Sequence, residues 1–477
     1  MRARLLIAGA ALLAFGASLG GGFHFDDYAI FASRVLKSPA GFLGIWALAR
    51  TRPLTYLTFW LNYLAGGRDP LGYHLFNLAL HVGAAVLLYE CLRRLIGDRA
   101  GVLGGVLFAV HPIQAEAVNY IWARSIVLAA LLCFASLYAW LNGSRWWAVV
   151  WFGAALLAKE ECAAFPLVLL MLPGQKRDRA RLAPVASMCL LAFVAAARVV
   201  YATAVTPGSP AGLQAPFSPV KYFLAEGPVL LRYLRLLVGP YGFTVDPDVS
   251  IPPAWIALTA WIAIAALAFA GWRYLRPVGL WFIAGLILLL PSSSIFPAAD
   301  LAADRRMYLP MFAFAAAAAL LLERVKWRSA GIVLAAALAA ISIDRSIIWM
   351  NDATLWREAV ARAPHKVRPK VQLARALPAS QALELLNQAR NLAPEDPAVP
   401  AEIGKILLTE NQPEAALLEF GRALALDPRD ARNANNRGVA LAAIGQTEAA
   451  RADFERALRM DPSLEEARDN LKKLGSK

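Results

Sequence analysis

The feature that most constrains the fold is a series of apolar runs that occupies much of the first 350 residues. About eleven runs approach the length of a membrane-spanning helix; they lie at about 4–20, 73–92, 100–113, 124–141, 146–158, 162–173, 183–203, 253–271, 277–291, 307–322 and 329–349. Charged residues make up 17% of the chain, whereas a soluble domain carries roughly 25%. We therefore predict an all-α, polytopic membrane domain of about 11 transmembrane helices. Several runs are shorter than the roughly 20 residues that a span needs, so their ends must extend into flanking loops.

The first run follows a basic start and ends in small residues, "MRARLLIAGAALLAFGASLGGG". This composition also fits a cleavable signal peptide. We favour a retained first helix because many further spans follow it. The four cysteines lie in or beside apolar runs without paired or metal-like spacing, so they indicate neither a disulfide framework nor a zinc site.

The net charge of +14 comes from short basic clusters between the apolar runs. These clusters are "MRAR" at the N-terminus, 93–99, Arg145, 175–181, 272–276 and 323–328. Short cytoplasmic loops collect Lys and Arg, so the pattern indicates membrane topology and not nucleic-acid binding. Alternation then places the remaining loops on the outer face: the segment with Asp26 and Asp27, 111–124, 159–162, 204–252, 291–310 and everything after about 350.

Two amphipathic stretches, 51–67 and 221–240, are expected to lie in the interface plane instead of crossing the membrane. The second stretch carries Lys221, Glu226, Arg232 and Arg235. If it spans the membrane, the topology of every later segment changes.

From about residue 363 the composition changes to an alternating charged and Ala/Leu-rich helical pattern, and a 34-residue period appears. Pro394, Pro428 and Pro462 are in register; alanine recurs at 5 and 12 positions before each proline, and leucine or phenylalanine at 8 positions. Such a period is typical of tetratricopeptide repeats, in which a proline ends the second helix of each repeat. We predict about three repeats, a degenerate one at 363–396 and a closing helix at 464–474. The concave surface of such an α-solenoid usually binds a peptide or a partner protein.

The outer loop 21–72 carries two adjacent acidic residues, Asp26 and Asp27. Neighbouring side chains on an extended backbone point to opposite faces. We therefore expect one carboxylate to act and the other to shape the loop. The acting carboxylate serves as a general base or, if the protein depends on a divalent metal, as a ligand. The alternative is a solvated pair that caps a helix beginning near Tyr28.

Three other predicted outer boundaries hold ionisable residues, which are costly at membrane depth unless they pair or line an aqueous cavity. "HPIQAEA" supplies His111 and Glu116, with Arg124 about two turns further on. Lys159 and Glu160 follow, and "AADRRMYLP" supplies Asp304, Arg305, Arg306 and Tyr308. Arginine matches phosphate oxygens in fork geometry. The structural alternatives are a Glu116–Arg124 bridge, a snorkelling Lys159, and arginines that meet lipid headgroups or Asp304.

The order of these motifs resembles the transmembrane and tetratricopeptide-repeat O-mannosyltransferase family of the GT-C glycosyltransferase superfamily. The motifs run as "FDDY", "RPLTYLTFWLNYLAGGRDPLGYHLFNLALH", "HPIQAEAV", "KEE", "ADRRMYLP" and "WMNDATLW", and the repeats follow them. The resemblance covers nearly the whole chain from about residue 20. It implies a GT-C-type membrane domain over 1–350 and a repeat domain over 351–477.

The resemblance also implies an activity: transfer of a sugar, typically mannose, from a polyprenyl-phosphate donor to Ser or Thr hydroxyls of proteins on the outer face. The implied location is a bacterial inner membrane, with the catalytic loops and repeats facing the periplasm. By position, the catalytic residues match Asp26 and Asp27. The residues for donor phosphate and sugar match His111, Glu116, Arg124, Lys159, Glu160, Asp304, Arg305, Arg306 and Tyr308. The sequence departs from the family pattern at Ala123, Ser125, Ile126 and Asp304.

A lipid-phosphate leaving group is already a stable anion, so one base and one cationic clamp suffice for a single inverting displacement. The sequence indicates no certain cofactor, and a divalent metal on Asp26 and Asp27 stays an alternative. The expected partners are the lipid-linked donor and a protein or peptide acceptor, with the repeats as one place for the acceptor to bind. Two other hypotheses remain: a GT-C transferase that modifies a lipid or envelope glycan, and a non-catalytic scaffold that anchors the repeats.

Overall fold

The computed structural model describes residues 1–32, 43, 44, 46, 51–172, 179–206, 211, 212, 215, 217–298, 300–324 and 328–475. Parts of the predicted outer loop 21–72, of the basic clusters at 175–181 and 323–328, and of the segment 204–252 lie outside these residues. The chain divides into two compact units, Met1–Asn351 and Asp352–Lys477. The described residues of both units form helices and turns, without a strand.

The first unit contains fifteen α-helices among its described residues. They are α1 (Arg2–Phe15), α2 (Asp27–Ala32), α3 (Pro53–Gly66), α4 (Pro70–Ile96), α5 (Asp98–Val110), α6 (Ala115–Asn119), α7 (Arg124–Leu141), α8 (Arg145–Ala158), α9 (Phe165–Met171), α10 (Leu182–Val205), α11 (Pro219–Val238), α12 (Ala254–Tyr274), α13 (Arg276–Leu289), α14 (Met311–Arg324) and α15 (Arg328–Ile348). Each predicted apolar run therefore contains a helix. The amphipathic stretches 51–67 and 221–240 are also helical, as α3 and α11.

Not every apolar helix is long enough to cross a membrane. Among the described residues, six helical segments have the required length and hydropathy: Arg2–Gly20, Pro70–Ile96, Ile121–Leu141, Arg179–Val205, Ala254–Tyr274 and Ala330–Ile348. Helix α5 and the helical segment Pro112–Asn119 form a further candidate that bends by 48°. Helices α8 and α13 are apolar but have only 14 residues each. The structure thus supports a membrane protein with six or seven clear candidates, and the number eleven stays a prediction.

Two predicted runs are not single helices. The run 100–113 ends as an α-helix at Val110, and a 3₁₀ turn over Pro112–Gln114 follows the break at His111. The run 162–173 begins in a 3₁₀ turn, Glu160–Ala164, before the short helix α9. Proline lacks an N–H, so it favours a helix start over a continuing helix, and Pro112 and Pro166 lie at such starts. Both breaks place polar residues at the ends of apolar helices.

The core of the first unit is one large apolar cluster that includes residues of α1, α4, α5, α7, α8 and α14. Helix α1 contributes Ile7, Ala11 and Phe15, all fully buried. Burial of such side chains stabilises a fold by roughly 1.5–3 kcal/mol each for residues as large as Ile and Phe. This packing fixes the helix ends from which the polar loops project.

The second unit is a tetratricopeptide-repeat solenoid. Its helices are α16 (Asp352–Arg362), α17 (Val367–Ala374), α18 (Ala379–Leu392), α19 (Ala398–Thr409), α20 (Pro413–Leu426), α21 (Ala431–Ala443), α22 (Thr447–Met460) and α23 (Glu465–Gly475). The second helix of each repeat ends two residues before Pro394, Pro428 or Pro462, as predicted. The nine residues at the predicted offsets are all buried: Ala382, Leu386, Ala389, Ala416, Phe420, Ala423, Ala450, Phe454 and Ala457. Helix α16, which precedes the first repeat, was not predicted.

Close packing within the repeats depends on two glycines. A Cβ added to Gly404 would lie 2.8 Å from the ring of Phe420, and one added to Gly438 would lie 2.7 Å from the ring of Phe454. Because real Cβ atoms do not approach so closely, the aromatic ring of the second helix fits only against glycine in the first.

Candidate functional site

The two adjacent acidic residues have different environments. Asp26 is exposed, and its Oδ2 accepts a hydrogen bond of 2.9 Å from the hydroxyl of Tyr120. Asp27 is fully buried, and its two oxygens accept backbone N–H groups of His24 (2.9 Å) and Trp122 (2.7 Å). These donors lie outside helix α2, so Asp27 does not act as the simple helix cap considered as an alternative. The geometry places Asp27 as the residue that shapes the loop and Asp26 as the accessible carboxylate.

The burial of Asp27 also changes its titration. Burial raises the pKa of Asp27 from its ordinary value of 3.8 to about 7, against the opposing effect of its backbone hydrogen bonds. By contrast, the exposed position of Asp26 lets a substrate approach its carboxylate. Asp26 is therefore better placed than Asp27 to take a proton from a substrate.

A short helix links Asp26 to a charged cluster, which is centred on Arg305 and Arg306. Glu116 lies in α6, and Tyr120 caps the end of that helix by donating its backbone N–H to the carbonyl of Glu116. One turn therefore separates the residue that contacts Asp26 from the one that binds Arg305. Glu116 accepts both the backbone N–H of Arg305, at 2.9 Å, and its guanidinium. The acidic loop near the N-terminus and the cluster near residue 305 thus converge on one element.

Helix α11 holds the other residues of the cluster. Arg232 forms an ion pair with Asp304, and Glu226 lies 3.4 Å from the guanidinium of Arg306. The guanidinium of Arg306 also donates to the backbone carbonyls of Asp300 (2.5 Å) and Leu301 (3.0 Å). These contacts fix the 3₁₀ turn Asp304–Met307 on one face of α11.

Arg305 is the most accessible arginine of this cluster. Its side chain is 25% exposed, whereas that of Arg306 is 7% exposed. Its second contact, to Asp300 at 3.4 Å, involves a carboxylate that is itself 31% exposed. Burial opposes the charge of Arg305, but Glu116 and Asp300 raise its pKa above its ordinary value. The guanidinium therefore stays charged, and it can bind an anion by releasing its contact with the partly exposed Asp300.

The segment 159–161 brings further charges to the same region. The ammonium of Lys159 lies 2.9 Å from Glu161, and Glu160 forms a two-point contact with Arg52 at 2.7 and 3.2 Å. Lys159, Glu161 and Arg306 line one small cavity together with Ser292. Lys159 and Arg306, two cations from different loops, therefore line the same cavity.

Lys159 is almost fully buried, and burial lowers its pKa from 10.5 to about 8 despite the nearby Glu161. Lys159 keeps most of its charge at neutral pH but begins to lose it in mild alkali.

Within the described ranges, no group of three or more His, Cys, Asp or Glu residues lies in a metal-binding arrangement.

Comparisons with known proteins add to this geometry. The tetratricopeptide repeat family model matches residues 431–464. Protein O-mannosyl-transferase Tmtc1 of Drosophila melanogaster is 50% identical over 95 residues, or 20% of this chain and 11% of that protein. Protein O-mannosyl-transferase Tmtc2 of the same species is 30% identical over 274 residues, which cover 49% of this chain and 28% of that protein.

The chain resembles the TMTC protein O-mannosyl-transferases. The matched region spans less than a third of each of these two relatives. Among solved structures, ArnT from Cupriavidus metallidurans bound to undecaprenyl phosphate is 14% identical and covers 94% of this chain and 79% of that protein, with a TM-score of 0.41.

The structure does not bring every residue expected from the TMTC resemblance into the cluster. Arg124 is fully buried and binds neutral groups: Asn77 Oδ1 (2.7 Å), Asn62 Oδ1 (2.6 Å) and the carbonyl of Tyr73 (2.9 Å). The rings of Phe59 and Phe76 cover its guanidinium at 4.5 and 4.7 Å. The alternative of a Glu116–Arg124 bridge is therefore wrong, because Glu116 binds Arg305. Arg124 joins three helices and does not face the charged cluster.

Tyr308 and His111 also have structural contacts. The hydroxyl of Tyr308 is buried and lies 2.8 Å from Nδ1 of His81. Nδ1 of His111 accepts the backbone N–H of Ile113, and its Nε2 lies 3.2 Å from the carbonyl of Leu237 in α11. His111 thus fixes α11 beside the bent helix. Tyr308 anchors the far side of its turn in the core, away from the cluster.

The residues that contact the predicted site residues but were not themselves predicted include Tyr120, Glu161, Glu226, Arg232 and Asp300. The sequence marked Glu226 and Arg232 as charged positions of an amphipathic helix, and such a helix is ordinarily assigned to solvent or lipid headgroups. Their partners are Arg306 and Asp304, about 70 to 80 positions away in sequence. The signal that could have found them is that both α11 and the segment 304–306 carry acidic and basic residues, which can pair with one another.

Proposed function

We propose that this protein is a membrane glycosyltransferase that moves mannose from a polyprenyl-phosphate donor to a Ser or Thr hydroxyl of a protein acceptor on the outer face of the membrane. The observation that carries the proposal is the arrangement of Asp26 and Arg305 on opposite ends of one helical turn, through Tyr120 and Glu116. The names of the TMTC relatives support the reaction class.

The proposed reaction is a single displacement at the anomeric carbon. The acceptor oxygen forms a bond to this carbon while the bond to the phosphate oxygen breaks, and the hydroxyl proton passes to Asp26. The hydroxyl of Tyr120 donates to Oδ2 of Asp26, so it holds the carboxylate in place and leaves Oδ1 for the acceptor. The attack occurs opposite the leaving group, which makes the reaction inverting.

The departing phosphate gathers negative charge, and this charge needs cations. Arg305 is the accessible guanidinium of the cluster, and Lys159 and Arg306 line the neighbouring cavity. A fixed cation aimed at the developing charge lowers the barrier because it does not have to reorganise during the reaction. Glu116 and Asp300 hold Arg305 in position until the donor phosphate competes for it.

The test uses purified full-length protein with polyprenyl-phosphate-mannose and Ser/Thr-containing peptides. Asp26→Asn is expected to lower kcat by about 10²–10⁴-fold, and Arg305→Ala by about 10²–10³-fold. Asp248→Asn serves as the matched control, since Asp248 is an exposed acid of the same predicted face. Transfer that survives both substitutions would contradict the mechanism.

Two further arms address the alternatives. Sugar found on lipid and not on peptide would favour a transferase for a lipid or envelope glycan. Activity that is lost with a chelator and restored by a divalent ion would reassign Asp26 as a metal ligand.

A further inference from the structure

The motif "WMNDATLW", residues 349–356, has no part in the mechanism proposed above. It begins at Trp349, directly after α15, and the backbone N–H of Trp349 donates to the carbonyl of Arg345 at 3.1 Å, which continues the last turn of that helix. Trp349 is only 2% exposed. A tryptophan carries a large apolar ring system, so the groups that it packs against indicate what it holds in place.

One partner of Trp349 is the ring of Tyr120. The two ring centroids lie 5.8 Å apart and the rings are inclined by 28°, so they stack. The ring of Phe25 packs on the same tyrosine at 4.6 Å and 33°. Tyr120 is buried, and its hydroxyl is the group that donates to Oδ2 of Asp26. Two neighbouring rings therefore determine where this hydroxyl points.

The backbone of Trp349 contacts the acidic loop directly. Nε2 of His24 donates to the carbonyl of Trp349 at 2.6 Å, and the His24 ring lies nearly perpendicular to the indole, with centroids 5.7 Å apart. The backbone N–H of His24 donates to the carboxylate of Asp27 at 2.9 Å, and its carbonyl accepts the backbone N–H of Asp27 at 2.7 Å. Trp349 thus contacts both the tyrosine that binds Asp26 and the turn that presents Asp26.

The next residue, Met350, packs against the start of the same loop. A Cβ added to Gly20 would lie 2.6 Å from the terminal methyl carbon of Met350, so the side chain fits directly against the glycine backbone. Helix α15 also packs against α1, which precedes the loop. The end of α15 is therefore joined to the acidic loop by several contacts, and the bond between His24 and Trp349 spans 325 positions of sequence.

Trp349 also borders the charged cluster. It lines one small cavity together with Glu116, Asp304 and Arg345. Glu116 is the residue that binds Arg305, and it precedes Tyr120 by one helical turn. The indole therefore lies beside the element that carries both halves of the proposed site, but its stacked contact is with the half that ends at Asp26.

We propose that Trp349 is a positioning residue for the general base: its indole holds the ring of Tyr120, so that the tyrosine hydroxyl keeps Oδ2 of Asp26 and leaves Oδ1 for the acceptor. The inference rests on the proposed function for the role of Asp26 as a base. A base that is held in place before the reaction needs less reorganisation during it. Trp349 acts through Tyr120 and not on the reacting atoms.

The test compares single and double variants of the full-length protein in the assay of mannose transfer to peptides. Trp349→Leu keeps an apolar side chain but removes the stacked ring, whereas Trp349→Phe keeps a ring. Tyr120→Phe keeps the stacked ring of that residue but removes its hydroxyl. Trp281→Leu is the matched control, since Trp281 is also a buried tryptophan of the membrane unit and packs against a ring, that of Phe312, in the core.

We expect Trp349→Leu to lower kcat by about 10²-fold, the usual cost of a small misplacement of a reacting group, and to leave the donor KM unchanged. Trp349→Phe should restore most of the rate. The double variant Trp349→Leu/Tyr120→Phe should be no slower than Tyr120→Phe alone, because the hydroxyl through which the indole acts is already missing. A double variant slowed by the product of the two single losses, or an equal loss of kcat in Trp281→Leu, would overturn the proposal.

Hydrogen exchange of the backbone over residues 22–28 tests the contact without the reaction. Trp349→Leu should speed the exchange of this segment, and Trp281→Leu should not. If the wild-type protein transfers no sugar but Trp349→Leu speeds the exchange, the proposed function is wrong and Trp349 still positions the acidic loop. If the wild-type protein transfers mannose and Trp349→Leu keeps both the wild-type kcat and the wild-type exchange, the positioning role is wrong and the function stands.

Discussion

The contrast between Asp26 and Asp27 yields a quantitative prediction. Asp27→Ala removes the acceptor of a buried backbone N–H group, that of His24, and of a partly buried one, that of Trp122. An unsatisfied buried donor costs about 1–3 kcal/mol and a partly buried one less, so the substitution should lower the free energy of unfolding by about 1–5 kcal/mol. Asp26→Asn keeps an oxygen for the hydroxyl of Tyr120, and we expect it to change stability by less than about 1 kcal/mol.

The assay is the free energy of unfolding of each variant, measured by titration of mixed micelles with a denaturing detergent, in parallel with mannose transfer. Asp26→Asn should be stable but inactive, whereas Asp27→Ala should be unstable. A stable Asp27→Ala variant, or an Asp26→Asn variant that unfolds more readily than Asp27→Ala, would refute the assignment of one residue to the loop and the other to chemistry.

The pH dependence of the same variants gives a second check on Asp27. Its pKa is raised from 3.8 in the unfolded chain to about 7 in the folded protein, so the folded protein holds the proton more tightly. The stabilising contribution of protonation is complete below about pH 4 and disappears as the pH rises through about 7. The difference in stability between wild type and Asp27→Ala should therefore be larger at pH 5 than at pH 8. An equal or reversed difference would contradict a raised pKa of Asp27.

Three further predictions concern other parts of the protein. Burial lowers the pKa of Lys159 to about 8, so the rate of sugar transfer should decline as the pH rises through 8 and the ammonium loses its proton. Lys159→Arg should move this decline to higher pH in a pH–rate profile. An unshifted decline would exclude Lys159 as its cause. Gly438→Ala should lower the stability of the repeats by about 1–3 kcal/mol because the added Cβ would meet Phe454. Gly421→Ala is the control and should leave the stability unchanged, since nothing lies within 4 Å of an added Cβ there. The midpoints of thermal unfolding of the two variants test the difference. Arg124→Met should leave two amide oxygens and a backbone carbonyl without their hydrogen-bond donor. We expect it to destabilise the membrane unit by about 2–5 kcal/mol, measured by detergent denaturation. A stable variant that binds the lipid-linked sugar more weakly would instead place Arg124 in the site.

The sequence predicted some features of the site and missed others. It located the polar loops at 26–27, 111–124, 159–162 and 304–308, because a polar residue beside an apolar helix stands out in composition. That only one acid of the pair acts stays a prediction; the structure shows that Asp26 is exposed and Asp27 buried. It could not separate Arg305, which is partly exposed, from Arg124, which is enclosed by amides and aromatic rings, because both are arginines at helix boundaries.

What the sequence alone determined is the local structure. The apolar runs predicted the helices, and the 34-residue period predicted the repeats together with the residues buried inside them. These features depend on neighbours a few positions away or on strict repetition. Only the tertiary structure decided which charges pair. Glu116 meets Arg305 across 189 positions and Arg232 meets Asp304 across 72, because the packing of whole helices, and not local spacing, determines which loop ends come within the few ångströms over which ion pairs act.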